Sequence, residues 1–292
     1  MEPMLGMLLY GLINSAVFML MAIGFSLTFG ISGVANFAYG AFYVTGAYVT
    51  WQLINSLGLS FAISIIISAI ITGLFGALLY RFVLFRIRGL LLSEIIATFG
   101  IGMGMLEFYR SIGLSGHSYK LPTFMDGSLE VLGVYVDYQR VIIVGVAATL
   151  VFFLWFFSHH TKMGLAFRGI AQNEHTSLAF GIESEFTAMV SMGMGCCLAS
   201  LAAVVIIPLS LIQVEEGSNV LILALAVGIV GGMESIAGVI LGSLIFGYAQ
   251  IAVATYFNPH YTVIVMLAAI LIVLVIKPSG LFGKFKELEE RV

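Results

Sequence analysis

Charge is what this chain has least of. Only 9% of its 292 residues are Asp, Glu, Lys or Arg, against roughly 25% in soluble domains, and residues 3–80 contain none of these and no histidine. A soluble fold of this length could not cover its surface with so few charges. With 61% hydrophobic residues and a mean hydropathy of +1.11, lipid must be the solvent for most of it. Cysteine is scarce too: Cys196 and Cys197 are adjacent in an apolar run, a spacing unsuited to an ordinary disulfide or a Cys-x-x-Cys site, and they read as small packing residues. There is no GxxxxGK[ST] phosphate loop and no His-Glu-x-x-His pair. Energy from a nucleotide would therefore come from another polypeptide, and neither a cofactor nor a metal site is expected. Glu2 replaces the basic start of a signal peptide, and the first apolar run continues without a small-residue cleavage pattern, so it reads as a retained first span.

What is present is a series of apolar runs, at about 5–29, 38–56, 60–80, 90–109, 138–158, 186–208, 219–232, 235–257 and 261–276. They predict an all-α integral membrane protein with eight or nine membrane-embedded segments in a single transmembrane domain over 1–292. Arg81, Arg86 and Arg88 cluster in one connection, Lys162 and Arg168 lie in another, and Lys277, Lys284, Lys286 and Arg291 form the tail. The positive-inside rule puts all three in the cytoplasm, with the N-terminus outside and the C-terminus inside. Residues 111–137, with Lys120 against Asp126, Glu130 and Asp137, then form an extracytoplasmic loop.

A polar island, residues 159–185, reads HHTKMGLAFRGIAQNEHTSLAFGIESE between two spans. Met163, Phe167, Ile170 and Ala171 fall at helical spacing, predicting a short helix with its apolar face toward protein or lipid. Lys162, Arg168, Gln172, Asn173 and Glu174 would face outward, and Gly164 and Gly181 would bracket the helix. The island suggests a docking surface; the plainer alternative is an interfacial helix resting on headgroups.

Two glycine-rich stretches interrupt apolar runs: residues 29–37, FGISGVANF, and 228–238, GIVGGMESIAG. Paired interruptions of this kind are expected where transporter helices break to line a pathway, and helix-ending turns at the membrane surface are the alternative. Ser32, Asn36 and Tyr39 at the first, and Glu234 and Ser235 at the second, are the candidate pathway residues, with Asn14, Ser26 and Thr28 nearby. Glu234 also fits a carboxylate solvated at a cytoplasmic mouth. Glu107 and Arg110 should pair, and Glu94 suits a helix N-terminus. Gly100–Gly104 and Gly238–Gly242 have GxxxG spacing, and Ser191, Gly195, Ala199 and Ala203 repeat every fourth residue, as tightly packed membrane helices do. The tetrapeptide G-x-S-G around Ser32 and Ser115 would suit an intramembrane serine protease. That chemistry needs a histidine base, and neither serine has a convincing one in His117 or His260.

Residues 11–15, GLINS, residues 27–40, LTFGISGVANFAYG, and residues 45–48, TGAY, resemble the opening of the branched-chain amino acid permeases of bacterial ATP-binding-cassette importers. Residues 161–182 are similar to that family's coupling loop, residues 231–242, GGMESIAGVILG, to its late glycine-rich segment, and residues 277–283, KPSGLFG, to its tail. Tyr39 stands where the family usually has His, Glu234 where it has Gly and Ala237 where it has Pro; residues 206–217 match poorly. The resemblance implies a permease domain in the bacterial inner membrane that pairs with a second permease subunit, identical or homologous. It further implies two cytoplasmic ATPase subunits gripping 159–185, an extracytoplasmic substrate-binding protein, surrounding lipid and no nucleic acid. Gly164, Arg168, Ala171, Gln172, Asn173 and Gly181 would shape the coupling loop, with Arg168 as its polar anchor, and the cargo would be Leu, Ile and Val. Related permeases carry urea or short amides, and a self-sufficient channel or secondary carrier is the rival from another class.

Overall fold

The computed structural model describes residues 2–114, 119–131, 133–257, 261–277 and 279–283. Each of the nine apolar runs has its helix: α1 (Glu2–Ser32), α2 (Tyr39–Leu57), α3 (Phe61–Leu79), α5 (Leu91–Tyr109), α6 (Tyr138–His160), α9 (Ser184–Ile206), α10 (Glu215–Gly231), α11 (Ile236–Tyr256) and α12 (Thr262–Ile276). A π-helical turn, Tyr80–Leu84, and the short α4 (Phe85–Ile87) prolong α3, and a second π turn, Arg110–Leu114, prolongs α5. The island forms α7 (Lys162–Gln172) and α8 (Glu174–Ala179). One departure from an all-α chain lies in the expected outer loop, where β1 (Ser128–Val131) pairs antiparallel with β2 (Val134–Asp137).

By length and composition, six stretches among the described residues are able to cross a membrane: Met4–Ser32, Phe61–Ile87, Leu91–Leu114, Tyr138–His160, Ser184–Leu209 and Ile236–Tyr256. The other three long helices differ for identifiable reasons. α2 carries Thr45, Thr50, Gln52 and Asn55, and α10 and α12 have 17 and 15 residues.

The bundle is built around α9, which lies against α1, α2 and α3 and is mostly buried. Small residues permit this. A Cβ on Gly195 would lie 2.0 Å from Thr28 Oγ1, one on Gly46 2.4 Å from Ser200 Oγ, and one on Gly76 2.5 Å from Cys196 Sγ. The Ser191, Gly195, Ala199, Ala203 stripe is buried, and Cys196, buried on the α3 side, fills the packing role expected of it. Of the two GxxxG pairs, Gly238 and Gly242 press on the backbone of α10, whereas a Cβ on Gly100 or Gly104 would meet nothing within 4 Å. The latter pair is not used in the described chain's own packing. Polar side chains bond between helices, as expected in lipid: Asn14 Nδ2 donates to Gln250 Oε1 at 3.0 Å, Thr50 Oγ1 to Ser68 Oγ at 2.7 Å and Tyr109 OH to Thr45 Oγ1 at 3.0 Å.

At one end, the Tyr10 hydroxyl donates to Tyr135 O at 2.8 Å, and Ile212 N–H to Tyr119 O at 2.9 Å. There Arg110 pairs with Glu107, as expected, and also with Glu215. The opposite end gathers the close of α1, the connection 85–90, α7 and α8, the α10–α11 turn and residues 279–283.

Candidate functional site: the coupling segment and two helix breaks

The island folds as two capped helices rather than one. Thr161 is extended and its hydroxyl accepts from Gly164 N–H at 2.9 Å, which starts α7 immediately after α6 ends. Asn173 breaks the segment with φ −157° and ψ 112°, and its Oδ1 accepts from Thr176 N–H at 2.8 Å to start α8. Gly181, at φ +79°, ends α8 as expected. Gly164 is not a turn: it lies inside α7, where a Cβ would fall 2.1 Å from Phe157 O, so it lets α7 fold back onto α6.

Phe167 and Ile170 are buried, Met163 and Ala171 half-buried, and Phe167 meets Phe157 edge to face at 5.6 Å. Lys162, Gln172 and Glu174 are exposed, with Asn173 half-buried. Arg168 departs from expectation. It shares a helix face with Gly164 and Ala171, is half-buried, and its Nε is buried without a hydrogen-bond partner among the described residues. Charge alone assigns it to the outside; its long stem instead carries it along the packed face. The exposed side of the segment is partly apolar, with Leu165, Leu178 and Phe180, the last 82% exposed.

Arg168 and Ala171 line a cavity of about 90 Å³ with Ser26, Gly30, Phe157 and Glu234. The cavity joins the island to the second helix break. There α10 ends at Gly231, Gly232 turns the chain at φ +107°, and Ser235 Oγ accepts from Gly238 N–H at 3.1 Å to cap α11. The carbonyl of Met233 accepts from Ser26 Oγ at 2.8 Å, and a Cβ on Gly30 would sit 3.3 Å from Glu234 Cα. Glu234 itself is exposed. Residues 279–283 close the turn from outside: Leu281 N–H donates to Val230 O and Phe282 N–H to Gly231 O, each at 2.9 Å.

The first break, residues 33–38, begins where α1 closes and folds back against α5. Phe37 N–H donates to Thr98 Oγ1 at 3.3 Å, and a Cβ on Gly102 would lie 2.9 Å from Ala38 Cα, so the break sits level with the middle of α5. Non-helical backbone at that depth survives only where protein or a cavity covers it, and Val34, Ala35, Asn36 and Ala38 are all buried. Its polar groups are met locally. Ser32 Oγ accepts from Val34 N–H at 3.2 Å, and Asn36 Oδ1 accepts from Ala38 N–H at 3.1 Å while its Nδ2 points at Cys196 Sγ at 3.7 Å. Tyr39 is buried, edge-on to Phe25 at 5.8 Å.

The five candidate pathway residues fall on two breaks that meet the same end of α1, Glu234 packing on Gly30 two residues before Ser32. Ser32, Asn36 and Tyr39 belong to the first break, and Glu234 and Ser235 to the second. Sequence reasoning missed Thr98, Thr161 and Arg88. A Thr two residues before the apolar-periodic Met163 was a readable helix-start signal for Thr161. No local signal marks Arg88, whose partners lie 86 and 97 residues away. Ser115, His117, His260, Lys284, Lys286 and Arg291 lie outside the described residues.

A bundle of long apolar helices packed through glycine, carrying buried helix breaks and a capped amphipathic segment at one end, defines a polytopic membrane protein of the transport class. The chain matches the branched-chain amino acid transport system / permease component family over residues 7–274, and it belongs to that family. It is 27% identical over 292 residues to the high-affinity branched-chain amino acid transport system permease protein BraD of Pseudomonas aeruginosa, covering 95% of each chain. It is 26% identical over 290 residues to the permease protein LivH of Salmonella typhimurium, covering 94% of each. The probable branched-chain amino acid transport permease protein LivH of Methanocaldococcus jannaschii is also 26% identical, over 93% of this chain and 90% of that protein. Among solved structures, PsaBC from Streptococcus pneumoniae in complex with Fab is similar in fold, with a TM-score of 0.55 at 17% identity over 94% of each chain.

Proposed function

We propose that this permease subunit moves branched-chain amino acids across a bacterial inner membrane by alternating access, driven by partner ATPase subunits. Family membership over residues 7–274 is the observation that carries this reading, because the relatives it brings are named for that transport. All nine long helices are then membrane-embedded, with 159–185 cytoplasmic, 111–137 extracytoplasmic, the N-terminus outside and the C-terminus inside. The subunit pairs with a second permease, and a substrate-binding protein delivers the solute on the outer side.

Residues 159–185 are the ATPase docking segment. Gly164 seats α7 on α6, Asn173 and Gly181 start and end α8, and Gln172 lies on the exposed side with Leu165, Leu178 and Phe180. Exposed apolar side chains at a water-facing end suit a protein partner better than solvent. Arg168 and Ala171 support the segment from its packed side rather than anchoring the ATPase directly. Ser32, Asn36, Tyr39, Glu234 and Ser235 act through the two breaks, which shape the path between α1 and its neighbours.

Uptake of labelled leucine, isoleucine and valine into proteoliposomes holding the complete complex tests this reading, with urea and short amides as competitors. Phe180→Asp should cost about 2 kcal/mol or more of ATPase docking and release those subunits, while the permease still inserts. Uptake that proceeds with no ATPase present would sink the reading in favour of a self-sufficient carrier. For orientation, a cysteine at Gly89 should be protected from an impermeant thiol reagent added outside, and one at Leu129 should react.

A further inference from the structure

Arg88 closes a joint between segments that are distant in sequence. It lies in the connection from α4 to α5, and its guanidinium forks to two carboxylates: Nη2 donates to Glu174 Oε1 in the first turn of α8, and Nη1 to Glu185 Oε1 in the first turn of α9. Nη1 also donates to Ser184 Oγ at 3.2 Å. The hydroxyl of Tyr80, at the start of the π turn after α3, donates to Glu185 Oε2 at 3.1 Å. A planar guanidinium can hold two carboxylates in fixed directions, which an ammonium cannot.

The backbone that carries Arg88 is itself held. Gly89 turns at φ +86°, and its N–H donates at 2.9 Å to Glu94 Oε1, a carboxylate buried in the first turn of α5. Force applied at Arg88 is thus delivered to α5 through Glu94 and to α3 through α4 and the π turn, an irregularity that recurs at functional sites. Chain connectivity alone would pass a movement of α7–α8 to α6 and α9. The fork adds α5, and a second link to α3 beside the packing of α9 on it.

We propose that Arg88 is a positioning residue for coupled transport, passing displacement of α8 by the ATPase to α3 and α5. This rests on the docking reading of residues 159–185. Glu174 and Glu185 share one guanidinium, so α8, the start of α9 and residues 85–94 move as one body.

The test uses the reconstituted complex of permeases, ATPase subunits and binding protein, and reads ATPase retention, ATP hydrolysed and solute moved per ATP. Arg88→Ala is expected to retain and stimulate the ATPase while solute moved per ATP falls by about fivefold. Arg88→Lys, which keeps the charge without the fork, should recover less than half of that coupling. Glu174→Ala, at a residue exposed enough to be tolerated, should reproduce the loss and keeps the test open if Arg88→Ala fails to insert. The double variant should be no worse than the more affected single. Unchanged coupling in the single variants, additive losses in the double, or release of the ATPase by Arg88→Ala would each overturn the proposal. Phe180→Asp is the separate control: wild-type uptake in that variant brings down the docking reading itself, whatever Arg88 does.

Discussion

The two helix breaks look alike in sequence, each a glycine-rich interruption with a serine and a small-residue run after it, yet they are opposite kinds of joint. The first is sunk to the level of Thr98 and Gly102, and its backbone is satisfied by Ser32, Asn36 and Thr98. The second packs on Ser26 and Gly30 of α1 beside a cavity, with an exposed Glu234, and is closed by residues 279–283. A break enclosed by its own polar side chains is locked, because moving it exposes unpaired backbone to an apolar interior. A break beside a cavity has somewhere to move. The comparison sets a break enclosed by its own polar side chains, residues 33–38, against one that borders a cavity and is closed by a later strap, residues 232–235.

Substitutions separate the two joints. The largest effect is expected at Gly40, just after the first break, where a Cβ would fall 1.7 Å from Gly217 O. Gly40→Val should abolish monodisperse protein on size-exclusion chromatography, whereas Gly100→Val, with open space around it, should behave as wild type. Next comes Asn36→Leu, which strands Ala38 N–H in the interior and should cost about 1–3 kcal/mol, read as a lowered melting temperature in detergent. Ser235→Ala removes only the α11 cap, for about 1 kcal/mol. Glu234→Gln should be smallest, within about 0.5 kcal/mol in stability, with any change confined to transport rate. Equal melting losses for Asn36→Leu and Glu234→Gln would erase the distinction between the enclosed break and the one beside the cavity.

Much of this was legible because lipid imposes few solutions. Apolar length marked every long helix, and the apolar spacing of Phe167 and Ile170 correctly gave the packed face of α7. The every-fourth-residue stripe on α9 marked its seam with α1. What failed was depth and direction. Residues 33–38 read equally well as a surface turn, since their burial is conferred by α5 and α9, not by their own composition. Arg168 read as outward because charge predicts exposure, while a long stem lets a guanidinium lie along a packed face. Glu174 read as outward-facing and is exposed, but its pairing with Arg88 depends on a fold-level meeting that no local pattern encodes. Gly100 and Gly104 had the right spacing with nothing against them in the described chain.

The contact of residues 279–283 with Val230 and Gly231 has a consequence for biogenesis. The α10–α11 turn leaves the ribosome about fifty residues before the strap that closes it. At synthesis rates of roughly 5–20 residues per second, the turn therefore waits several seconds for its hydrogen-bond partners. During that interval the turn is held at this end by the Gly231–Gly238 contact and by Ser26 on Met233 O without its strap, so it gains its last hydrogen bonds only after residues 279–283 emerge.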